Sequence, residues 1–147
     1  MLVGTGVSAE DEEWTSVTTV AYVNHKCVDM EDGALATHAK ATKLFFKDWS
    51  EDRKVIVMDG SDDGDGEANS YQAKLKALSA NVLPVDEDGL PMFDLALVGV
   101  GDDGHIGSLY PNRDEVLIND ADSWVLPVAM KEPPSITLLL SAMHNAE

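Results

Sequence analysis

Short apolar blocks alternate along the chain with stretches whose apolar residues recur at helical spacing. Val17-Thr18-Thr19-Val20-Ala21-Tyr22-Val23 is brief and β-branched, which predicts a strand. From Ala34 to Phe46, the positions Leu35, Ala39, Leu44 and Phe45 predict a helix. Val55-Ile56-Val57-Met58 is apolar throughout, as in a strand covered on both faces. Asp59 to Gly66 follows as a polar loop with nothing to bury. Glu67 to Ala80 then returns to helix, with Ala68, Tyr71, Leu75 and Leu78 on one stripe. Phe93 to Val100 gives the clearest strand pattern and runs into a glycine-rich turn. His105 to Tyr110 is predicted as a short helix that Pro111 limits. Ser123 to Val128 and Ile136 to Leu140 read as two more strands, parted by Pro133-Pro134.

Strands alternating with helices predict the α/β class: a mostly parallel, Rossmann-like sheet flanked by helices. No internal repeat or long linker interrupts residues 1–147, which read as one domain. A further segment, Ser141 to Glu147, starts as the sequence stops, which suggests an incomplete domain. An apolar fraction of 44% and a charged fraction of 25% suit an ordinary soluble domain with its own core. Cys27, the single cysteine, has no internal disulfide partner. No apolar run is long enough to span a bilayer. The N-terminus lacks signal-peptide design, and the acidic cluster Glu10 to Glu13 argues against a transit peptide. The cytoplasm is the expected location, or a plastid if a targeting segment lies upstream. The net charge of −17 alters the picture most. Such a field repels nucleic acid and anionic membranes, so neither is an expected partner. It also means that a phosphorylated ligand would need basic groups gathered locally.

The chemistry concentrates in one turn. Gly99, Gly101 and Gly104 follow Leu95-Ala96-Leu97-Val98, and ligands of open α/β sheets bind beyond strand carboxyl ends. Glycines let backbone amides approach a ligand closely. His105 then stands at the start of the predicted helix, whose N-terminus would favour an oxyanion nearby and a neutral imidazole. Three readings fit these residues. Gly99 to Gly104 matches the dinucleotide fingerprint, with Asp120 and Asp122 about 20 residues on. Against it, Asp102 and Asp103 stand where a pyrophosphate would approach. A plain tight turn with a helix-capping histidine is the second reading. A general base at a strand end is the third.

Other clusters carry less. Asp59, Ser61, Asp63 and Gly64 begin like a calcium loop, but its twelfth position is Ser70 rather than a bidentate acid. His25, His38 and His144 lack metal-ligand spacing with Cys27 or each other, so no metal is expected. Ser108 lacks the G-x-S-x-G surroundings of a nucleophile.

The stretch Phe93-Asp94-Leu95 through Gly101-Asp102-Asp103-Gly104-His105 to Ser108-Leu109-Tyr110-Pro111 resembles the signature of 6-phosphogluconolactonases. These share a superfamily with glucosamine-6-phosphate deaminases, in which a Phe-Asn-Glu-Pro-like sequence usually follows the glycine-histidine turn. Ser108-Leu109-Tyr110-Pro111 therefore resembles the lactonase branch. Trp14 followed by a strand and Asn24-His25-Lys26-Cys27-Val28 is similar to the family's strand ending in Asp-Glu-Arg or Asp-His-Arg. Lys131-Glu132-Pro133-Pro134-Ser135-Ile136-Thr137-Leu138 is similar to its Lys-Pro-Pro segment and Thr-Leu-rich strand. The likeness runs from Trp14 to Ala146. The family's early Gly-Gly-Ser-Thr-Pro phosphate loop has no counterpart, nor do its C-terminal elements. Asn24 and Lys26 replace the usual Asp and Arg, and lysine lacks arginine's bidentate fork.

This resemblance implies a partial lactonase domain lacking both ends. It implies hydrolysis of 6-phospho-D-glucono-1,5-lactone to 6-phosphogluconate, in the oxidative pentose phosphate pathway, without a metal or organic cofactor. His105 would be the general base, with Asp103 orienting it. Lys26, Gly101, Gly104 and Lys131 would bind substrate, the amides near Gly101 and Gly104 serving the oxyanion. A catalytically inert fragment or binding module of the same fold, and a deaminase-like enzyme, are the competing expectations.

Overall fold

The computed structural model describes residues 19–49 and 53–146. Trp14, Val17 and Thr18, part of the first expected strand and its flank, lie outside the described residues. The elements run in the order β1 (Thr19–Ala21), β2 (Asn24–Lys26), α1 (Thr37–Leu44), β3 (Lys54–Ile56), α2 (Gly64–Lys76), β4 (Val125–Val128), β5 (Ser135–Leu138) and α3 (Leu140–His144). Short 3-10 turns occupy Phe46–Asp48 and Asp114–Leu117.

The α/β class is borne out. β1 and β3 pair in parallel, Val20 opposite Val55, and the crossover between them carries α1. The other sheet departs from the parallel expectation: β2, β5 and β4 lie side by side in that order, and both pairings are antiparallel. The reason is the connection between β4 and β5. A parallel return needs a dozen or more residues, whereas residues 129–134 suffice only for a hairpin. Only Tyr22 and Val23 separate β1 from β2, so the chain steps directly from one sheet to the other. Leu138 N–H donating to the Val23 carbonyl at 2.7 Å continues the ladder across that step.

Helix α2 holds the two sheets together. Its expected stripe is correct: Ala68, Tyr71 and Leu75 are buried, and Leu78 packs against the core. The Tyr71 hydroxyl accepts from Tyr22 N–H at 2.6 Å and donates to the Tyr22 carbonyl at 3.1 Å. It thereby satisfies the backbone where the chain leaves β1. The Gln72 side-chain oxygen accepts from Trp124 N–H and Val125 N–H at 2.6 and 3.2 Å, fixing the start of β4. Glu67 is buried and accepts from Asp59 N–H and Ser61 N–H at 2.9 and 2.6 Å. The loop expected to extend to Gly66 thus ends at Asp63, its turn held by a helix carboxylate.

Three local expectations fail for physical reasons. Phe93 to Val100 forms no strand. Phe93 and Val98 pack on the core, but no neighbouring strand among the described residues offers them a ladder. Leu95 and Val100 are 69% and 72% exposed, so hydrophobicity alone gave the strand pattern. The stripe expected on α1 is also displaced. Ala36, Ala41 and Phe46 are buried there, while Leu44 is 65% exposed. Residues 105–110 form a tight turn instead of a helix, because Gly104 and Gly107 adopt φ of +82° and +60°.

Candidate functional site

The turn after Gly101 is built from its own backbone. Gly104 N–H donates to the Gly101 carbonyl at 2.9 Å, and Gly101 N–H donates to the His105 carbonyl at 2.9 Å. Ile106 and Leu109 then exchange two backbone bonds of 3.0 and 2.8 Å around Gly107-Ser108. With glycine at positive φ in the first central position, this is the geometry of a type II′ turn.

Residues beyond the turn hold it in place. Leu109 is buried in the core. Ser108 N–H donates to Thr137 Oγ1 at 3.2 Å, and Asn24 Nδ2 donates to Ser108 Oγ at 3.1 Å. A Cβ on Gly107 would stand 2.9 Å from Thr137 Oγ1 and 3.1 Å from Met143 Cε, so only glycine fits against β5 and α3.

His105 emerges half-buried from this base. Its Nδ1 lies 2.5 Å from Asp103 Oδ1, and its backbone N–H reaches the same oxygen at 3.3 Å. These hydrogen bonds, the side-chain one first, hold the Asp103 carboxyl below its ordinary pKa. An ionised Asp103 accepts from Nδ1–H, which assigns the lone pair to Nε2. Nε2 has no hydrogen-bond partner among the described residues. The His105 ring lies so close over the Gly101 Cα that any Cβ there would collide with it.

Two further residues complete the cluster. The Tyr110 ring stacks on His105, with centroids 4.8 Å apart and planes 28° from parallel. Lys131 Nζ donates to the Tyr110 hydroxyl at 2.6 Å and lies 4.6 Å from the ring centroid. That hydrogen bond is the main reason the Lys131 pKa is raised, which favours the ammonium form.

Of the residues singled out in the sequence, Asp103, His105 and Lys131 are therefore brought together. Lys26 is exposed at the end of β2 and opposite Ser135, with no hydrogen bond or ion pair to that cluster. Its neighbour Asn24, on the same face of the strand, does reach Ser108. The part expected of Gly101 and Gly104 needs correction. Both N–H groups are spent inside the loop, and Gly101 matters through its missing Cβ. The helix N-terminus expected beneath His105 is absent as well, so no helix field acts on the imidazole from there. A dinucleotide site loses both its strand and its helix. Asp59, first of the calcium-like loop, is instead engaged by Lys74 Nζ at 2.6 Å and by the Ser70 hydroxyl.

Spacing alone does not mark Tyr110 as a site residue. Its contact with Lys131 spans 21 residues, and only its place in the lactonase-like motif hints at a function. A cavity of about 390 Å³ lined by His38, Thr42, Phe46, Arg53 and Val55 shares no residue with this cluster.

Comparison with known proteins places the chain in a family. The family described as glucosamine-6-phosphate isomerases/6-phosphogluconolactonase matches residues 5–147. The chain is 42% identical over 71 residues to the chloroplastic 6-phosphogluconolactonase 3 of Arabidopsis thaliana, covering 46% of this chain and 21% of that protein. It is 29% identical over 131 residues to the 6-phosphogluconolactonase of Bos taurus, covering 87% and 48%. The chain thus spans about half the length, or less, of these curated relatives. In fold it is similar to the 6-phosphogluconolactonase of Leishmania guyanensis, with a TM-score of 0.66 at 23% identity over 86% of this chain and 53% of that one. The Trypanosoma brucei 6-phosphogluconolactonase gives 0.65 at 20% identity, with coverage of 86% and 53%. Among the described residues no helix is long and apolar enough to cross a membrane. The chain belongs to the glucosamine-6-phosphate isomerase/6-phosphogluconolactonase family.

Proposed function

We propose that this chain carries the hydrolytic site of a 6-phosphogluconolactonase, acting on 6-phospho-D-glucono-1,5-lactone. The observation that carries this reading is the 2.5 Å contact between Asp103 and His105 Nδ1, which leaves Nε2 to act as a base. His105 Nε2 takes a proton from water as its oxygen adds to the lactone carbonyl. The tetrahedral intermediate then collapses with the bond to the ring oxygen breaking. That oxygen receives the proton from His105, and the product is the open-chain acid. Asp103 holds the imidazole orientation and stabilises the imidazolium between the two transfers.

Anion recognition falls to lysines, since the Gly101 and Gly104 amides are committed within the turn. Lys131 is in contact with the cluster, and Lys26 extends the same binding role from the end of β2. Both offset locally a chain whose net charge is −17. The sequence Ser108-Leu109-Tyr110-Pro111 supports the lactonase branch over the deaminase branch. A substrate panel tests the reading with the full chain: the phosphorylated lactone, the unphosphorylated lactone and glucosamine 6-phosphate. Hydrolysis of the phosphorylated lactone above its spontaneous rate is the expected result. Turnover of glucosamine 6-phosphate alone, or of none of the three, would reject it.

A further inference from the structure

Tyr110 makes contacts that core packing does not explain. Its neighbour Leu109 is buried in the core, and Pro111 follows directly, so the backbone on both sides is constrained. Tyr110 itself is only half-buried and does not belong to the hydrophobic core or its packed fringe. Its ring instead faces the imidazole of His105 at 4.8 Å, and its hydroxyl accepts from the ammonium of Lys131 at 2.6 Å. One side chain thus touches both a candidate base and a candidate anion-binding cation, through two chemically separate handles.

We propose that Tyr110 is a positioning residue that keeps the His105 imidazole and the Lys131 ammonium in fixed register. The ring face restrains His105 from rotating off Asp103. The hydroxyl anchors Lys131, on a mobile four-carbon stem, toward the anionic group of a phosphorylated lactone. The substrate class rests on the lactonase reading above, whereas the positioning role concerns the geometry of the three side chains. The two handles predict separable effects, because phenylalanine keeps the ring and removes only the hydroxyl.

The test compares Tyr110→Phe and Tyr110→Leu with the unaltered full chain. Tyr110→Phe should raise KM for the phosphorylated lactone and weaken 6-phosphogluconate binding about three- to tenfold, with kcat unchanged. Tyr110→Leu should show that loss and lower kcat about tenfold or more. Combining Tyr110→Phe with Lys131→Met should add little to the binding loss of Lys131→Met alone. An NMR spectrum of the imidazole gives a readout independent of turnover. The Nδ1–H proton exchanges slowly with water while Asp103 holds it, so Tyr110→Leu should speed that exchange and Tyr110→Phe should leave it slow. Unchanged Nδ1–H exchange in Tyr110→Leu overturns the proposal. So does a Tyr110→Phe chain equal to the unaltered one in both KM and product affinity. If the unaltered chain hydrolyses no lactone, the lactonase reading fails, and the imidazole spectrum still decides the positioning role.

Discussion

At the scale of single residues, the site depends on what Gly101 lacks. The His105 ring fills the space in which a side chain at Gly101 would begin. Gly101→Ala should therefore push the imidazole away from Asp103 and lower lactone turnover by about 10²-fold, the cost of a misplacement near 1 Å. Steady-state kinetics beside a thermal melt checks this, and unchanged turnover would show that the ring has another resting place. Asp103 and His105 were legible in the sequence because they are two positions apart within one turn. The Tyr110–Lys131 contact was not, since it joins two loops through space. Lys26 carries the right charge, yet nothing in its local sequence reveals that it makes no hydrogen bond or ion pair with the His105 cluster.

Among the elements, α2 does the most to join the two sheets, and its stripe of Ala68, Tyr71 and Leu75 could be read directly from period 3.6. Its polar contacts could not, because Glu67 and Gln72 serve backbone groups on other elements. Glu67→Gln turns one carboxylate oxygen into a donor facing a backbone N–H. The expected loss is about 1–3 kcal/mol in a urea titration, the cost of an unsatisfied buried group. A midpoint unchanged by the substitution would mean that the loop at Asp59–Ser61 is held by other contacts. Phe93 to Val100 teaches the opposite lesson. Its apolar run marks packing against the core correctly at Phe93 and Val98, but a strand exists only with a partner, and sequence pattern does not supply one. The helix expected after His105 fails at Gly104 and Gly107, whose positive φ turns the chain into a hairpin.

For the molecule as a whole, the acidic composition and α/β class were both legible, while the junction between the two sheets was hidden. At that junction, His25 is buried, its Nδ1 donating to the Lys26 carbonyl at 2.6 Å and its Nε2 accepting from His38 N–H at 3.0 Å. His38 Nδ1 lies 2.8 Å from the Tyr22 hydroxyl, whose pKa burial raises strongly. Burial lowers the pKa of both histidines, so the folded chain holds them neutral more firmly than the unfolded chain does. Their contribution to stability is present above the ordinary histidine pKa of about 6.5 and is lost as pH falls toward the lowered folded values. Melting temperature should accordingly decline below about pH 6.5, and His25→Asn should flatten that decline. A pH-independent melt across this range would remove the two histidines as the cause. The proposed base at His105 would work in a chain spanning about half of its bovine relative. Turnover of 6-phospho-D-glucono-1,5-lactone, corrected for spontaneous opening, tests it most directly in the unaltered chain and in His105→Ala. Turnover is expected in the first and a loss of about 10²–10⁴-fold in the second, with the melting temperature at neutral pH unchanged. Comparable turnover in both, or none in the unaltered chain, would contradict it.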